Sequence, residues 1–300
     1  MRVLAAVDGS RGSLLAAEYG ALLAATVGGQ LLLTHVLEGL PSPRTRLLPA
    51  DLSPERRQVA EDVLALAQSQ VSWFTGPVET RILAGEPAEV ILAEAEAESC
   101  DLLTMGSRGL GGGALVRLLV GSVALRVLGG DPPPVLLASE TIADPARRPE
   151  LRSLLVPTDG SRASFAAAEF AATVAQAANV RVLLLHCEES LVPEGFAALA
   201  LSEEERARLA AGQESLGRRI LHTTQAPFLR RRLAVDLMET RGTPAATILT
   251  VAKETNASLI VMGSYGAGES WLKRQRLGSV AEGVLAGAHC PVVVCKRPLP

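Results

Sequence analysis

Two short runs carry residue types that can hold a phosphorylated ligand. Asp8-Gly9-Ser10 follows an apolar run near the amino terminus, and Asp159-Gly160-Ser161 repeats it. Gly106-Ser107-Arg108-Gly109 and Gly263-Ser264-Tyr265-Gly266 each follow another apolar run, with Gly121-Ser122 and Gly278-Ser279 downstream. Glycine lets a backbone come close to phosphate oxygens, and a serine hydroxyl adds a donor. A helix opening there adds free N–H groups and a partial positive charge. Such a cradle needs no lysine. It is not a Walker A loop, because Gly-Lys-Ser/Thr does not occur. It is not a dinucleotide fingerprint either: Gly109-x-Gly111 and Gly266-x-Gly268 lack the rest of that pattern and follow a fourth strand rather than a first. Without a ligand, the same residues read as tight strand-to-helix turns with serine caps, and both readings stand at this level.

Other reactive types are less well placed. His35 and His186 close second strands, and histidine is the side chain suited to proton transfer near neutral pH. No nucleophile pairs with either in the sequence, so a backbone hydrogen bond is the expectation. Cys100, Cys187, Cys290 and Cys295 form no C-x-x-C pair and have no zinc-finger spacing with histidine. They read as reduced thiols, with Cys187 and Cys295 as small core residues. Lys273-Arg274-Gln275-Arg276 lies within the second glycine-rich stretch, as a solvated face or as a clamp on a polyphosphate; the first copy has only Arg117 there. Arg230-Arg231-Arg232 reads as surface.

The elements that must position these residues come in two copies. Leu4–Arg11 matches Leu155–Arg162, and Leu31–His35 matches Val182–His186, both at an offset of 151. From Gly85 and Gly242 onward the offset is 157, through Met105-Gly106-Ser107 against Met262-Gly263-Ser264 and Gly121-Ser122-Val123-Ala124 against Gly278-Ser279-Val280-Ala281. The change falls between His35 and Gly85, where a variable loop and helix must lie. A period this long means a duplicated domain, not a solenoid. Each copy alternates short apolar strands with helical patterns: Val3–Val7, Leu31–Val36, Val78–Leu83, Asp101–Met105 and Pro134–Ala138 are the strands of the first. Ser10 caps one helix, Ser53-Pro54-Glu55 opens another, and Ser202 with Glu205 forms a capping box. The alternation predicts a parallel sheet covered by helices on both faces. The expected division is a first domain over 1–140, a linker over 141–150 and a second domain over 151–297.

Composition removes several classes of function. The 300 residues are 48% hydrophobic and 20% charged, which supports a sizeable core and argues against disorder. A net charge of −3 excludes a strongly basic nucleic-acid binder, and 3% aromatic residues leave little for base stacking. The first half carries no lysine. No leader pattern opens the chain, and the uncharged run Tyr19–Leu37 is broken by Gly28-Gly29-Gln30, so a cytoplasmic chain without a membrane span is expected.

With the opening Asp-Gly-Ser, the Gly-x-Pro before the third helix, Met-Gly-Ser followed by glycine, the downstream Gly-Ser-Val and the closing Cys290-Pro291-Val292-Val293-Val294, the chain resembles the universal stress proteins in tandem form. The resemblance covers both halves and implies two flavodoxin-like, Rossmann-like α/β domains. Each would be a five-stranded parallel sheet of order 3-2-1-4-5. It implies an adenine nucleotide, ATP with or without Mg²⁺, held in the first copy by Asp8, Val36, Met105, Gly106, Gly109, Gly121 and Ser122. The second copy would use Asp159, Cys187, Met262, Gly263, Gly266, Gly278 and Ser279. The aspartate would border the nucleotide, the end of the second strand would read adenine through its backbone, and the glycines and serine would hold ribose and phosphates.

Eleven residues separate Gly109 from Gly121, and eleven separate Gly266 from Gly278. The family's ATP-binding pattern has two fewer. A longer loop either folds back onto phosphate, with Gly111 or Gly268 absorbing the turn, or displaces the second glycine. The resemblance also implies antiparallel pairing of fifth strands, here as an internal pseudo-dimer, with further association into a homodimer. It points to a nucleotide-responsive stress regulator; the alternative is a scaffold that binds proteins and no nucleotide. No general base is assigned, so rapid turnover is not expected, and slow hydrolysis or self-phosphorylation stays open.

Overall fold

The structure, a computed structural model, describes residues 1–39, 53–108, 120–142, 148–188, 202–266 and 277–296. The first half runs β1 (Arg2–Ala6), α1 (Arg11–Val27), β2 (Gln30–Leu37), α2 (Pro54–Gln70), β3 (Val78–Ala84), α3 (Pro87–Ala97), β4 (Leu102–Gly106), α4 (Ser122–Gly129) and β5 (Val135–Ala138). A 3-10 turn, Glu140–Ile142, follows. The second half runs β6 (Ser153–Pro157), α5 (Arg162–Ala178), β7 (Arg181–Glu188), α6 (Glu203–Thr224), α7 (Ala226–Arg230), β8 (Asp236–Arg241), α8 (Pro244–Glu254), β9 (Leu259–Gly263), α9 (Ser279–Gly287) and β10 (Val292–Cys295).

Local chemistry sets the helix ends. The Ser10 hydroxyl accepts the Ser13 N–H at the start of α1, and Ser161 accepts that of Ser164 at the start of α5. Gly28 ends α1 with φ of 68°, in the left-handed region that glycine enters without a Cβ penalty. Asn179 does the same for α5. Ser53 caps α2, and both hydrogen bonds of the Ser202–Glu205 capping box form on α6. The alanine-rich buried faces of α1 and α5 let both helices lie close on the sheet; a Cβ on Gly20 would sit 3.0 Å from Thr104 Oγ1.

The strands form one ten-stranded sheet of order β3-β2-β1-β4-β5-β10-β9-β6-β7-β8. Each half is a parallel 3-2-1-4-5 sheet with helices on both faces. The halves join through β5 and β10, which pair antiparallel with Leu136 opposite Val293. Two cores flank the sheet, and each spans both halves. One packs Val3, Ala5, Leu31 and Leu33 with Val156, Leu184 and the inner faces of α1 and α5. The other packs Leu4, Leu32, Met105 and Leu137 with Ile260, Val292, Val294 and helices α3, α4, α8 and α9. Because β5 and β10 are antiparallel, the strand carboxyl ends of the two halves face opposite rims.

The outer edges differ. On β3, Arg81 bridges Glu94 and Glu98 of α3, and Arg2 bridges Glu79 and Glu98. On β8, at the other edge, Leu237 and Met238 are exposed. The short helix α7 has no counterpart in the sequence-based reading. It holds Arg230 at the surface and, with the following Arg231, pairs with Glu169 of α5.

Candidate functional site

Asp8 and Asp159 lie two residues beyond the ends of β1 and β6, at the strand carboxyl rim. Each carboxylate accepts the N–H two residues on, Ser10 at 2.9 Å and Ser161 at 3.0 Å, which fixes a tight turn into the next helix. His35 and His186 hold the other side of this turn. Nδ1 of His35 lies 2.8 Å from the Val7 carbonyl, and Nδ1 of His186 lies 2.8 Å from that of Thr158. Both rings are buried and bonded to backbone, as expected.

The third piece is the end of the fourth strand. Ser107 donates its N–H to the Ala138 carbonyl and accepts the Gly121 N–H at 2.7 Å. Ser264 does the same with Cys295 and with Gly278, at 3.0 and 2.8 Å. These bonds dock the amino termini of α4 and α9 against the strand ends. The N–H of each glycine is therefore occupied by backbone. The donors left over are those of the following residues, Ser122–Ala124 and Ser279–Ala281, which have no partner among the described residues. Neither helix has a side-chain cap, which they share with α7 and α8, whereas α1, α2, α3, α5 and α6 have one. At Gly121 the backbone has φ −66° and ψ 155°, a conformation open to any residue. The glycine is notable for the capping side chain it withholds.

The glycines of the fourth strands answer to packing. A Cβ on Gly106 would sit 2.9 Å from the Ser13 nitrogen, and one on Gly263 would sit 2.8 Å from the Ser164 nitrogen. β4 and β9 thus run against the first turns of α1 and α5. Gly266 and Asp159 meet: a Cβ on Gly266 would be 2.9 Å from Asp159 Oδ2. Ser161 Oγ donates to the Tyr265 carbonyl nearby, at 3.4 Å. Met105 and Met262 are buried in the second core, below the starts of α4 and α9. Val36 and Cys187 are half-buried and pack against that same core. Gly109, Gly111, Arg117, Gly268 and the Lys273–Arg276 run lie outside the described residues.

Matches to known proteins agree with this architecture. The model of the universal stress protein family fits residues 1–139 and again 150–296. The chain belongs to the universal stress protein family. Universal stress protein Rv2005c of Mycobacterium tuberculosis is 27% identical over 315 residues, covering 98% of this chain and 97% of that protein. Universal stress protein MJ0531 of Methanocaldococcus jannaschii is 34% identical over 154 residues, 49% of this chain and 83% of that protein. The crystal structure of a universal stress protein from Archaeoglobus fulgidus superposes with a TM-score of 0.68 at 24% identity, over 99% of this chain and 96% of that one. That likeness extends the shared fold to the whole tandem.

Both halves of this universal stress protein share the site framework, yet they are not identical. In the second half Thr158 Oγ1 donates to Ser164 Oγ, accepts the Gly160 N–H and lies 2.9 Å from Thr224 Oγ1 of α6. At the offsets of the repeat, Val7 and Ala67 occupy these positions in the first half. The hydroxyl relay thus ties the second turn to α6 and has no equivalent in the first. Ser13 and Ser164 are framework residues that sequence reasoning missed; their only signal was a serine three residues after each cap. Ser264 Oγ is buried without a hydrogen-bond partner among the described residues. Burial pushes the Cys187 thiol up to about 11 and holds it neutral, so a nucleophilic role is not supported. Among the described residues no group of three or more His, Cys, Asp or Glu is placed to hold a metal ion, and no helix is long and apolar enough to cross a membrane.

Proposed function

We propose that this universal stress protein binds an adenine nucleotide, ATP first among them, at the strand carboxyl rim of each half and acts as a nucleotide-responsive regulator. The observation that carries this reading is the pair of uncapped helix mouths, α4 and α9, drawn onto the strand ends by the Ser107 and Ser264 carbonyls. Free N–H groups beside a helix dipole suit phosphate oxygens. The orphaned Ser264 hydroxyl supports it: a buried polar group without a partner costs about 1–3 kcal/mol, and a ligand oxygen would relieve it. The amides of Ser122–Ala124 and Ser279–Ala281 would hold phosphate. Asp8 and Asp159 would border the ribose. Met105, Val36 and their counterparts Met262 and Cys187 would form an apolar floor under the base. Any divalent cation would arrive with the nucleotide.

Calorimetric titration with ATP and Mg²⁺ tests the reading. Saturable binding is expected, and the Asp8→Ala, Asp159→Ala double variant should weaken it by about tenfold or more. Absence of a binding signal for both ATP and ADP would overturn it.

A further inference from the structure

We propose that a cleft on the seam between the halves, separate from both candidate nucleotide sites, binds a small phosphate-class dianion. The cleft has a volume of about 180 Å³ and runs between α1, the segment entering β6, and the turns that precede β9 and β10. Tyr19, Leu15, Arg148, Arg152, Asn256 and His289 are among the residues that line it. None of Asp8, Val36, Met105, Gly106, Gly121 or Ser122 lines it.

Tyr19 directs the argument. The residue is 9% exposed, and its hydroxyl has no hydrogen-bond partner among the described residues. The fold asks only for an aromatic ring there, because Phe170 fills the matching position of α5 at an offset of 151 and is fully buried. The hydroxyl is therefore surplus to packing, and it is not among the sealed, unpartnered polar atoms of the structure, so it is available at the cleft that Tyr19 lines. The side chains opposite are not copied from the repeat either. Arg152 stands where the first half has Met1, and His289 where it has Pro132.

The backbone that carries Arg152 is held in place. Ser258 Oγ accepts the N–H groups of Arg152 and Ser153 at 2.9 and 3.1 Å and donates to the Ser153 carbonyl. Pro149 stiffens the approach, and Asn256 sits in the left-handed region with φ of 49°. The guanidiniums of Arg148 and Arg152, the His289 imidazole and the Tyr19 phenol line the open cleft together with Glu150, which lies 3.8 Å from Arg152. Arg148 is further faced by Glu18 on α1. Guanidinium forks match tetrahedral oxyanions, and the cleft is smaller than the ~300–1,000 Å³ of sites for drug-sized ligands, so it suits inorganic phosphate or a small phosphate ester.

Titration of the full chain with inorganic phosphate, followed by calorimetry and by ³¹P NMR, tests this. Saturable binding is expected. The Arg148→Ala, Arg152→Ala double variant should weaken it by about tenfold or more, and Tyr19→Phe by about threefold, with thermal unfolding of Tyr19→Phe unchanged. Glu150→Gln should tighten it by about twofold, an effect a merely structural role would not give. Phosphate binding should persist in the presence of saturating ATP, which occupies the candidate nucleotide sites, and this separates the cleft from them. No saturable phosphate binding, or binding indifferent to both arginines, would overturn the proposal.

Discussion

At the residue scale, close approach decides what can be changed. Gly263 lies where the end of β9 touches the first turn of α5, and backbone atoms would meet any added Cβ. Gly263→Ala should therefore destabilise the protein by about 1–3 kcal/mol, read as a lower midpoint in urea, because neither strand nor helix can yield locally. The cysteines make a second case. Burial raises the Cys100 and Cys187 thiols to about 11 and Cys290 to about 12, and raises the fully buried Cys295 further. A group whose folded pKa lies above its unfolded value contributes stability that is complete below the unfolded pKa and is lost as pH rises toward the folded one. Stability should thus fall as pH rises above about 9, since the unfolded thiols ionise first. Replacing Cys100 and Cys290 by alanine should flatten that fall, and denaturant titrations at pH 8 and 10 would show it.

At the element scale, helix mouths separate folding from binding. Gly121 and Gly278 adopt the backbone conformation of a capping residue without supplying a cap. Gly121→Asp with Gly278→Asp should stabilise the chain by a few tenths to about 1 kcal/mol per helix, as a capping carboxylate meets the free N–H groups. The same carboxylates should repel phosphate, so ATP binding should drop while the melting temperature rises. A variant that gains stability and keeps its ATP affinity would move the phosphate away from these termini.

Much of this was legible in the sequence. The ten strands, the Ser10, Ser53 and Ser202 caps and the antiparallel pairing of the fifth strands follow from periodicity, cap residues and the family resemblance. The occupied Gly121 and Gly278 amides were not legible, because their partners are carbonyls, which every residue carries. Helix α7 was missed because Gln225-Ala226-Pro227 shows no stop after α6; proline at an early helical position restarts the helix instead. Thr158 was visible as a departure from Val7, but its partner Thr224 stands 66 residues away at the end of α6.

At the scale of the whole molecule, the cores span the seam. Leu136 and Val293 face each other across β5 and β10, and both are fully buried. The chain should therefore unfold in one calorimetric transition, with van't Hoff and calorimetric enthalpies equal, despite its two halves. Leu136→Ala should lower that single transition by about 2–5 kcal/mol rather than split it, because the cavity would open in a core both halves share. The seam also gathers the arginine-lined cleft from pieces that the sequence keeps far apart.

The antiparallel joint has a geometric corollary. With the two sets of strand tips aimed at opposite margins, the sheet presents one set at either end, never both on one side like a pincer. A guest at one margin cannot touch a guest at the other, so any conversation between them must travel as strain through the sheet. On the function proposed above, an outside protein resting on one margin would read the state of one repeat while the other stays open to solvent.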